Sequence, residues 1–331
     1  MYDSFGLFIA GEWRSARSGR TIDVINPATE EKLGSIPFAG VADLDDALEA
    51  SRKAQASWAA TAGWERSRIL RSIADLLRDR TEEAALMMAR ESGKPLAEAR
   101  GEFGAAIDQF DWYADEARRI FGHTLGGREP GVSLDVRYRP VGPVAAFTAW
   151  NFPALLPARK MAAALAAGCT VILKPSEETP SSAYIFAQAA KAAGLPDGVL
   201  GVVTGDPAEV SRHLIASPVI RKVSLTGSVP VGKLIMKLCS DGLKLLSLEL
   251  GGHAPVLVFD DVDPVSSAKA CAAAKFRNNG QVCISPSRFY VHSAVKDEFS
   301  SAMADAARAL KLGSGADPEV TCGPMINARG R

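Results

Sequence analysis

From Val141 to Leu250 the chain repeats one pattern, a short apolar run followed by a longer stretch with helical periodicity. The runs Val144–Trp150, Thr170–Lys174, Leu200–Thr204, Val223–Thr226 and Leu245–Leu250 predict strands. Ala154–Ala167 and Ser181–Ala193 predict helices, closed by Gly168 and Gly194. Strands this short, apolar on successive residues and separated by helices, predict a parallel, doubly wound α/β sheet covered on both faces. Sheets of that kind bind ligands at the carboxyl ends of their strands. The residues just after each apolar run are therefore where chemistry is to be sought.

The flanking regions extend this architecture. Upstream, Leu44, Ala47, Leu48, Ser51, Ala54 and Trp58 recur at helical spacing, as do Ile69, Leu70, Ile73, Leu76 and Leu77. Gly93-Lys94-Pro95 stops one helix and starts another, with Pro95 suited to its first turn, and that helix is expected to run to about Ile120. The alternating segment Val132–Tyr138, within the glycine-rich stretch 122–140, predicts an extended ribbon outside the main sheet. After Gly251 a second alternation begins, with strands expected at Pro255–Phe259 and Arg288–His292 and helices at Ser266–Phe276 and Val295–Leu312. The expected organisation is a first domain from 1–121 and 141–251, a ribbon at 122–140, and part of a second α/β domain at 252–331.

Several classes of function are disfavoured. Lys+Arg and Asp+Glu balance at 38 each, so no basic surface for nucleic acid or anionic lipid is expected. The most apolar region, Val141–Leu173, is interrupted by Asn151, Arg159, Lys160 and several prolines, which argues against a membrane span. The start lacks a basic segment followed by a long apolar one, so no signal peptide is expected. Five scattered cysteines, an odd number, fit free thiols in a reducing cytoplasm, and no Cys/His spacing suggests a metal site.

Four strand ends and one later loop carry suggestive residues. They are Trp150-Asn151-Phe152-Pro153, Lys174-Pro175-Ser176-Glu177, Thr226-Gly227-Ser228 with Gly232 beyond it, Leu248-Glu249-Leu250-Gly251-Gly252, and Asn278-Asn279-Gly280-Gln281-Val282-Cys283. Taken singly each has an ordinary explanation: a turn cap, a strand end, a helix N-cap, a solvated carboxylate, a small buried thiol. The common Gly-Xaa-Gly-Xaa-Xaa-Gly dinucleotide fingerprint is absent. Together, in this order and from about Ile9 to the last residue, the segments resemble the aldehyde dehydrogenase superfamily, and in their motifs the NAD-dependent succinate-semialdehyde dehydrogenases.

That resemblance, joined to chemical need, implies a set of roles. Oxidising an aldehyde by hydride loss first needs a tetrahedral adduct, and Cys283 supplies the thiolate nucleophile. The oxyanion of that adduct needs donors, for which the Asn151 amide and the Cys283 backbone N–H are candidates. Glu249 is the candidate general base for hydrolysis of the resulting thioester. The resemblance implies NAD held by Trp150, Lys174, Glu177, Gly227, Ser228, Gly232 and Leu250. In it Lys174 and Glu177 take the adenine-side ribose, and the helix start after Gly227 takes the pyrophosphate. A carboxylate at Glu177 would repel a 2′-phosphate, so NAD is expected over NADP. Arg159 and Arg277 match positions that bind a substrate carboxylate, which points to a semialdehyde such as succinate semialdehyde. If they are structural arginines, the substrate is another aldehyde. Ser285 stands where some relatives carry a second cysteine, so a disulfide switch there is not expected.

The chain is expected to stop short of the family's later Glu-Xaa-Phe-Gly-Pro segment and of the C-terminal strand used in oligomers. The complete protein is then expected to be a homo-oligomer, and a non-catalytic nucleotide-binding fragment is the alternative from another functional class.

Overall fold

The structure, a computed structural model, describes Tyr2 and residues 5–330. Four short strands open the chain: β1 (Leu7–Ile9), β2 (Glu12–Arg14), β3 (Thr21–Ile25) and β4 (Lys32–Pro37). Four helices follow, α1 (Val41–Ala60), α2 (Gly63–Arg78), α3 (Thr81–Ser92) and α4 (Leu96–Ala117), then a hairpin of β5 (His123–Gly126) and β6 (Ser133–Val136). The alternating region gives β7 (Val144–Phe147), α5 (Leu155–Ala166), β8 (Val171–Lys174), α6 (Ser181–Ala192), β9 (Leu200–Val202), α7 (Pro207–Ala216), β10 (Lys222–Gly227), α8 (Val229–Ser240) and β11 (Leu245–Leu250). The last part holds β12 (Val256–Val258), α9 (Pro264–Phe276), β13 (Phe289–Val291) and α10 (Lys296–Arg308).

The main sheet has the order β11-β10-β7-β8-β9-β1-β2. Its first five strands are mutually parallel, whereas β1 pairs antiparallel with β9 and with β2. The parallel, doubly wound α/β core is thus as expected, and the antiparallel edge is an addition. Sequence reading took the first third as mostly helical because strands of three residues are too short to show a period. Leu7, Phe8 and Ile9 are nonetheless fully buried.

Strand residues alternate between two cores. Val144 and Ala146 belong to the interior beneath α2–α6, while Ala145 and Phe147 face a second interior with Leu44, Val210 and Ile235. Burial on both faces explains why β7 and β8 read as continuous apolar runs. Pro95 is the N-cap of α4 rather than a residue of its first turn, and Gly93, at φ 74°, ends α3 in the left-handed region. The hairpin β5–β6 lies outside the main sheet with every residue exposed.

Strand β7 is laid down first, β8 and β9 extend the sheet to one side, and β10 and β11 to the other. The order reverses between β7 and β10, and that is where an open α/β sheet leaves a crevice for a ligand.

Candidate active site

The loop after β7 carries Asn151, and Glu249, the penultimate residue of β11, lies directly opposite Thr226 of β10. Both therefore stand at the carboxyl side of the switch point. Cys283 reaches the same place from the segment between α9 and β13. There Asn278, Asn279 and Gly280 adopt φ values of 50°, 57° and 76° and reverse the chain in three left-handed steps. Asparagine is the non-glycine residue that tolerates this region best.

Hydrogen bonds across the molecule hold that reversal. Asn278 donates its backbone N–H to Glu98 Oε2 at 2.6 Å and its amide to the carbonyls of Asn151 (2.8 Å) and Gln281 (3.1 Å). Asn279 donates its amide to the carbonyls of Gly93 (3.1 Å) and Pro324 (3.0 Å) and accepts from Gly323 N–H at 2.7 Å. The Asn151 amide nitrogen donates to the Gln281 carbonyl at 3.1 Å, two residues before Cys283. One of its two amide hydrogens is used there, which leaves a second for an oxyanion. Gly252 packs against the same loop, since a Cβ on it would lie 3.8 Å from the Cys283 carbonyl oxygen.

Cys283, Glu249, Arg159 and Arg277 all open on one cavity of about 910 Å³, between α4 and α5 on one side and β10, β11 and the nucleophile loop on the other. Arg277 also lies over the Phe152 ring, 5.2 Å from its centroid. Three cations that sequence reading overlooked, Arg139, Lys160 and Lys222, line the cavity as well. Lys160 donates to Ser224 Oγ at 2.9 Å and Lys222 to Ser247 Oγ at 2.7 Å. Burial pushes the Lys160 ammonium down to about 8, with Glu249 acting in the opposite sense and Lys222 and Arg159 in the same one. The available signal was a second cation beside Arg159 in an otherwise apolar helix. Five cations around one carboxylate make a cavity suited to an anionic substrate.

The residues assigned to a dinucleotide lie outside this cavity, along the strand ends. Buried Lys174 at the end of β8 pairs with Glu177. Thr179 donates its hydroxyl to the Trp150 carbonyl at 3.4 Å, joining the loops after β8 and β7. Ser228 is the N-cap of α8, and its Oγ accepts from Val231 N–H at 3.5 Å. The first turn of that helix is exposed. A Cβ on Gly232 would sit 2.8–2.9 Å from the Leu250 methyl carbons, so glycine lets α8 lie directly on the end of β11. A carboxylate paired with a lysine, an exposed helix N-terminus and a crevice between them fit a dinucleotide spanning β8, β7 and β10. No group of three or more potential metal ligands is found among the described residues, and none of their helices is long and apolar enough to cross a membrane.

Comparison with known proteins places the chain in one family. The profile of the aldehyde dehydrogenase family matches residues 13–331. Glutarate-semialdehyde dehydrogenase of Pseudomonas putida is 44% identical over 322 residues, covering 97% of this chain and 67% of the relative. Succinate-semialdehyde dehydrogenase [NADP(+)] of Escherichia coli is 43% identical over 321 residues, covering 97% of this chain and 67% of the relative. The crystal structure of succinate-semialdehyde dehydrogenase from Burkholderia pseudomallei superposes with a TM-score of 0.96 at 43% identity, over 98% of this chain and 67% of that one.

Proposed function

This chain belongs to the aldehyde dehydrogenase family, and from that premise we propose that it oxidises a carboxylated semialdehyde to the dicarboxylic acid. The observation that carries the reading is the shared cavity. Cys283, Glu249, Arg159 and Arg277 open on it, and the Asn151 amide is bonded to the loop of Cys283.

In this reading the Cys283 thiolate forms a bond to the aldehyde carbon, and the carbonyl oxygen becomes an oxyanion. The free hydrogen of the Asn151 amide and the Cys283 N–H donate to it. A nicotinamide cofactor bound along the strand ends supplies the acceptor for the hydride that leaves this carbon. Glu249 then takes a proton from water, the hydroxide adds to the Cys283 thioester, and the thiolate leaves as the acid forms. Arg159 and Arg277 hold the distal carboxylate, and Lys160 and Lys222 add to the positive field.

Three finer assignments complete the proposal. Glu177, beside Lys174, favours NAD by repelling a 2′-phosphate, although the named E. coli relative uses NADP(+). The division into 1–121 with 141–251, the ribbon 122–140 and the segment 252–331 follows the sheets. The ribbon exposes Leu125, Leu134 and Val136, which suits contact with a second copy, and the five free cysteines suit a reducing cytoplasm.

The test compares succinate semialdehyde with butanal, which lacks only the acid group. Unpaired arginines in a closed pocket should lower kcat/KM for butanal by about 10²-fold. Arg277→Met should raise KM for the semialdehyde and leave butanal nearly unaffected. Equal kcat/KM for both aldehydes would remove the semialdehyde assignment and keep the dehydrogenase one.

A further inference from the structure

The loop that presents Asn151 is gripped from behind by a charge pair that the chemistry above does not use. Lys94, in the turn between α3 and α4, is 1% exposed, and Glu102, two turns into α4, is 6% exposed. The Lys94 ammonium donates to Glu102 Oε2 and, at 2.8 Å, to the backbone carbonyl of Asn151. Its remaining side faces the Phe152 ring, 4.7 Å from the centroid. The other carboxylate oxygen, Glu102 Oε1, accepts from the N–H groups of Ala154 (2.8 Å) and Leu155 (3.1 Å). One pair thus holds both ends of the five-residue turn from Asn151 to Leu155.

We propose that Lys94 and Glu102 are positioning residues that fix the Asn151 amide for oxyanion binding. The proposal rests on the dehydrogenase reading and deepens it. Asn151 stands outside helix and strand, so no secondary-structure ladder sets its backbone. Its carbonyl is held from the first region by Lys94 and from the nucleophile loop by Asn278. Its side-chain amide in turn meets the Gln281 carbonyl. Losing the Lys94 contact would let the turn rotate about its remaining anchors and carry the amide away from the adduct. A buried ion pair is a poor device for stability alone, because desolvating two charges offsets most of their attraction. It does supply direction, since one ammonium donor is spent on Glu102 Oε2 and another on the Asn151 carbonyl, while Glu102 Oε1 accepts from two N–H groups at the far end of the same turn.

The experiment is a double-mutant cycle between Lys94→Met and Asn151→Ala, with kcat counted per folded site by mass-spectrometric alkylation of Cys283. A misplacement of about 1 Å at a reacting centre costs about 10²-fold, so Lys94→Met should lower kcat by about that factor while the NAD dissociation constant changes less than about threefold. Removing one oxyanion donor costs about 10²–10³-fold, and Asn151→Ala should show this alone but lose less than about threefold more in the Lys94→Met background. If Lys94→Met does not fold, Glu102→Gln replaces it. The amide oxygen still accepts from Ala154 and Leu155, but its NH₂ faces Lys94, and kcat should fall about tenfold. Wild-type kcat in the folded variant used, or factors that multiply in full in the cycle, overturns the assignment. An unsubstituted protein that reduces no cofactor with any aldehyde overturns the dehydrogenase reading and this assignment with it.

Discussion

Residues 5–251 bury two large apolar interiors, one on each face of the seven-stranded sheet, with Trp58, Phe103, Phe110, Tyr184 and Phe186 fully enclosed. In 252–330 the corresponding cluster consists of Val258, Ala268 and Phe299, while Leu257, Phe259, Tyr290 and Leu312 are exposed. The proposed nucleophile, Cys283, belongs to the second region and the proposed cofactor face to the first. The difference teaches where the geometry of Cys283 comes from. Its loop has little core of its own to rest on, so its left-handed turn is held by hydrogen bonds to Glu98, Gly93 and Asn151 of the first region. Buried side chains hold the first region; long-range polar contacts hold the loop that carries Cys283.

The sharpest break between the two regions is Cys283→Ala. Turnover should fall to background while NAD binds within about threefold of its normal affinity, because the thiol makes the covalent bond and touches neither ribose nor phosphate. Aldehyde oxidation by the folded variant would remove Cys283 from its role. Glu249→Gln divides the reaction next. A general base is worth about 10²–10⁴-fold, so steady-state turnover should drop by that order while one rapid equivalent of NADH still appears. Equal loss of burst and steady state would place Glu249 elsewhere.

Asn279→Ala probes the tie itself. It removes three tertiary hydrogen bonds at a residue with φ 57°. The expected loss is about 2–4 kcal/mol, from unmade bonds and left-handed strain. Hydrogen exchange should show lost protection in β13 and α10 with β7, β8 and β10 unchanged. A uniform loss would mean that the regions unfold as one unit.

The first region has a pH signature of its own. Fully buried Glu91 accepts from Tyr2 Oη (2.6 Å), Ser181 Oγ (2.7 Å) and Ser181 N–H (3.1 Å), and burial raises its carboxyl to about 7. Between the ordinary value near 4.5 and about 7 the folded state binds more protons than the unfolded one. Its stabilising contribution is therefore complete below about 4.5 and is lost as pH rises through about 7. Glu91→Gln should remove about 2 kcal/mol of that pH dependence between pH 5 and 7, read as a flatter curve of unfolding free energy; an unchanged slope would show that another group titrates there. The smallest effect belongs to the cofactor face. A like charge close to a phosphate in water is worth about 1 kcal/mol, so Glu177→Ser should narrow the NAD/NADP preference by about that amount. An unchanged ratio would assign the discrimination to other residues.

Much of this was legible in the chain itself. The strands β7 to β11 announced themselves because burial on both faces forces continuous apolar runs, and that constraint acts within a few residues. Residues placed just after those runs, Asn151 and Glu249 among them, stood out because the parallel topology makes those positions ligand-facing. Cys283 drew the expectation of a nucleophile through its company of glycine and glutamine. The strands β1 and β2 were not legible, since they are three residues each and their hairpin joins the main sheet only through β9, nearly two hundred residues on. Lys94 read only as part of a helix stop, yet its partner Asn151 lies 57 residues away. Asn278 read as a loop residue, and its contacts to Asn151 and Glu98 span 127 and 180 residues. Local sequence determined the elements and the chemical groups at their ends, because propensity, period and capping act over one or two turns. The tertiary structure alone decided how those groups face one another, because buried charges and amides take their partners from whatever part of the chain the packing brings within hydrogen-bond reach.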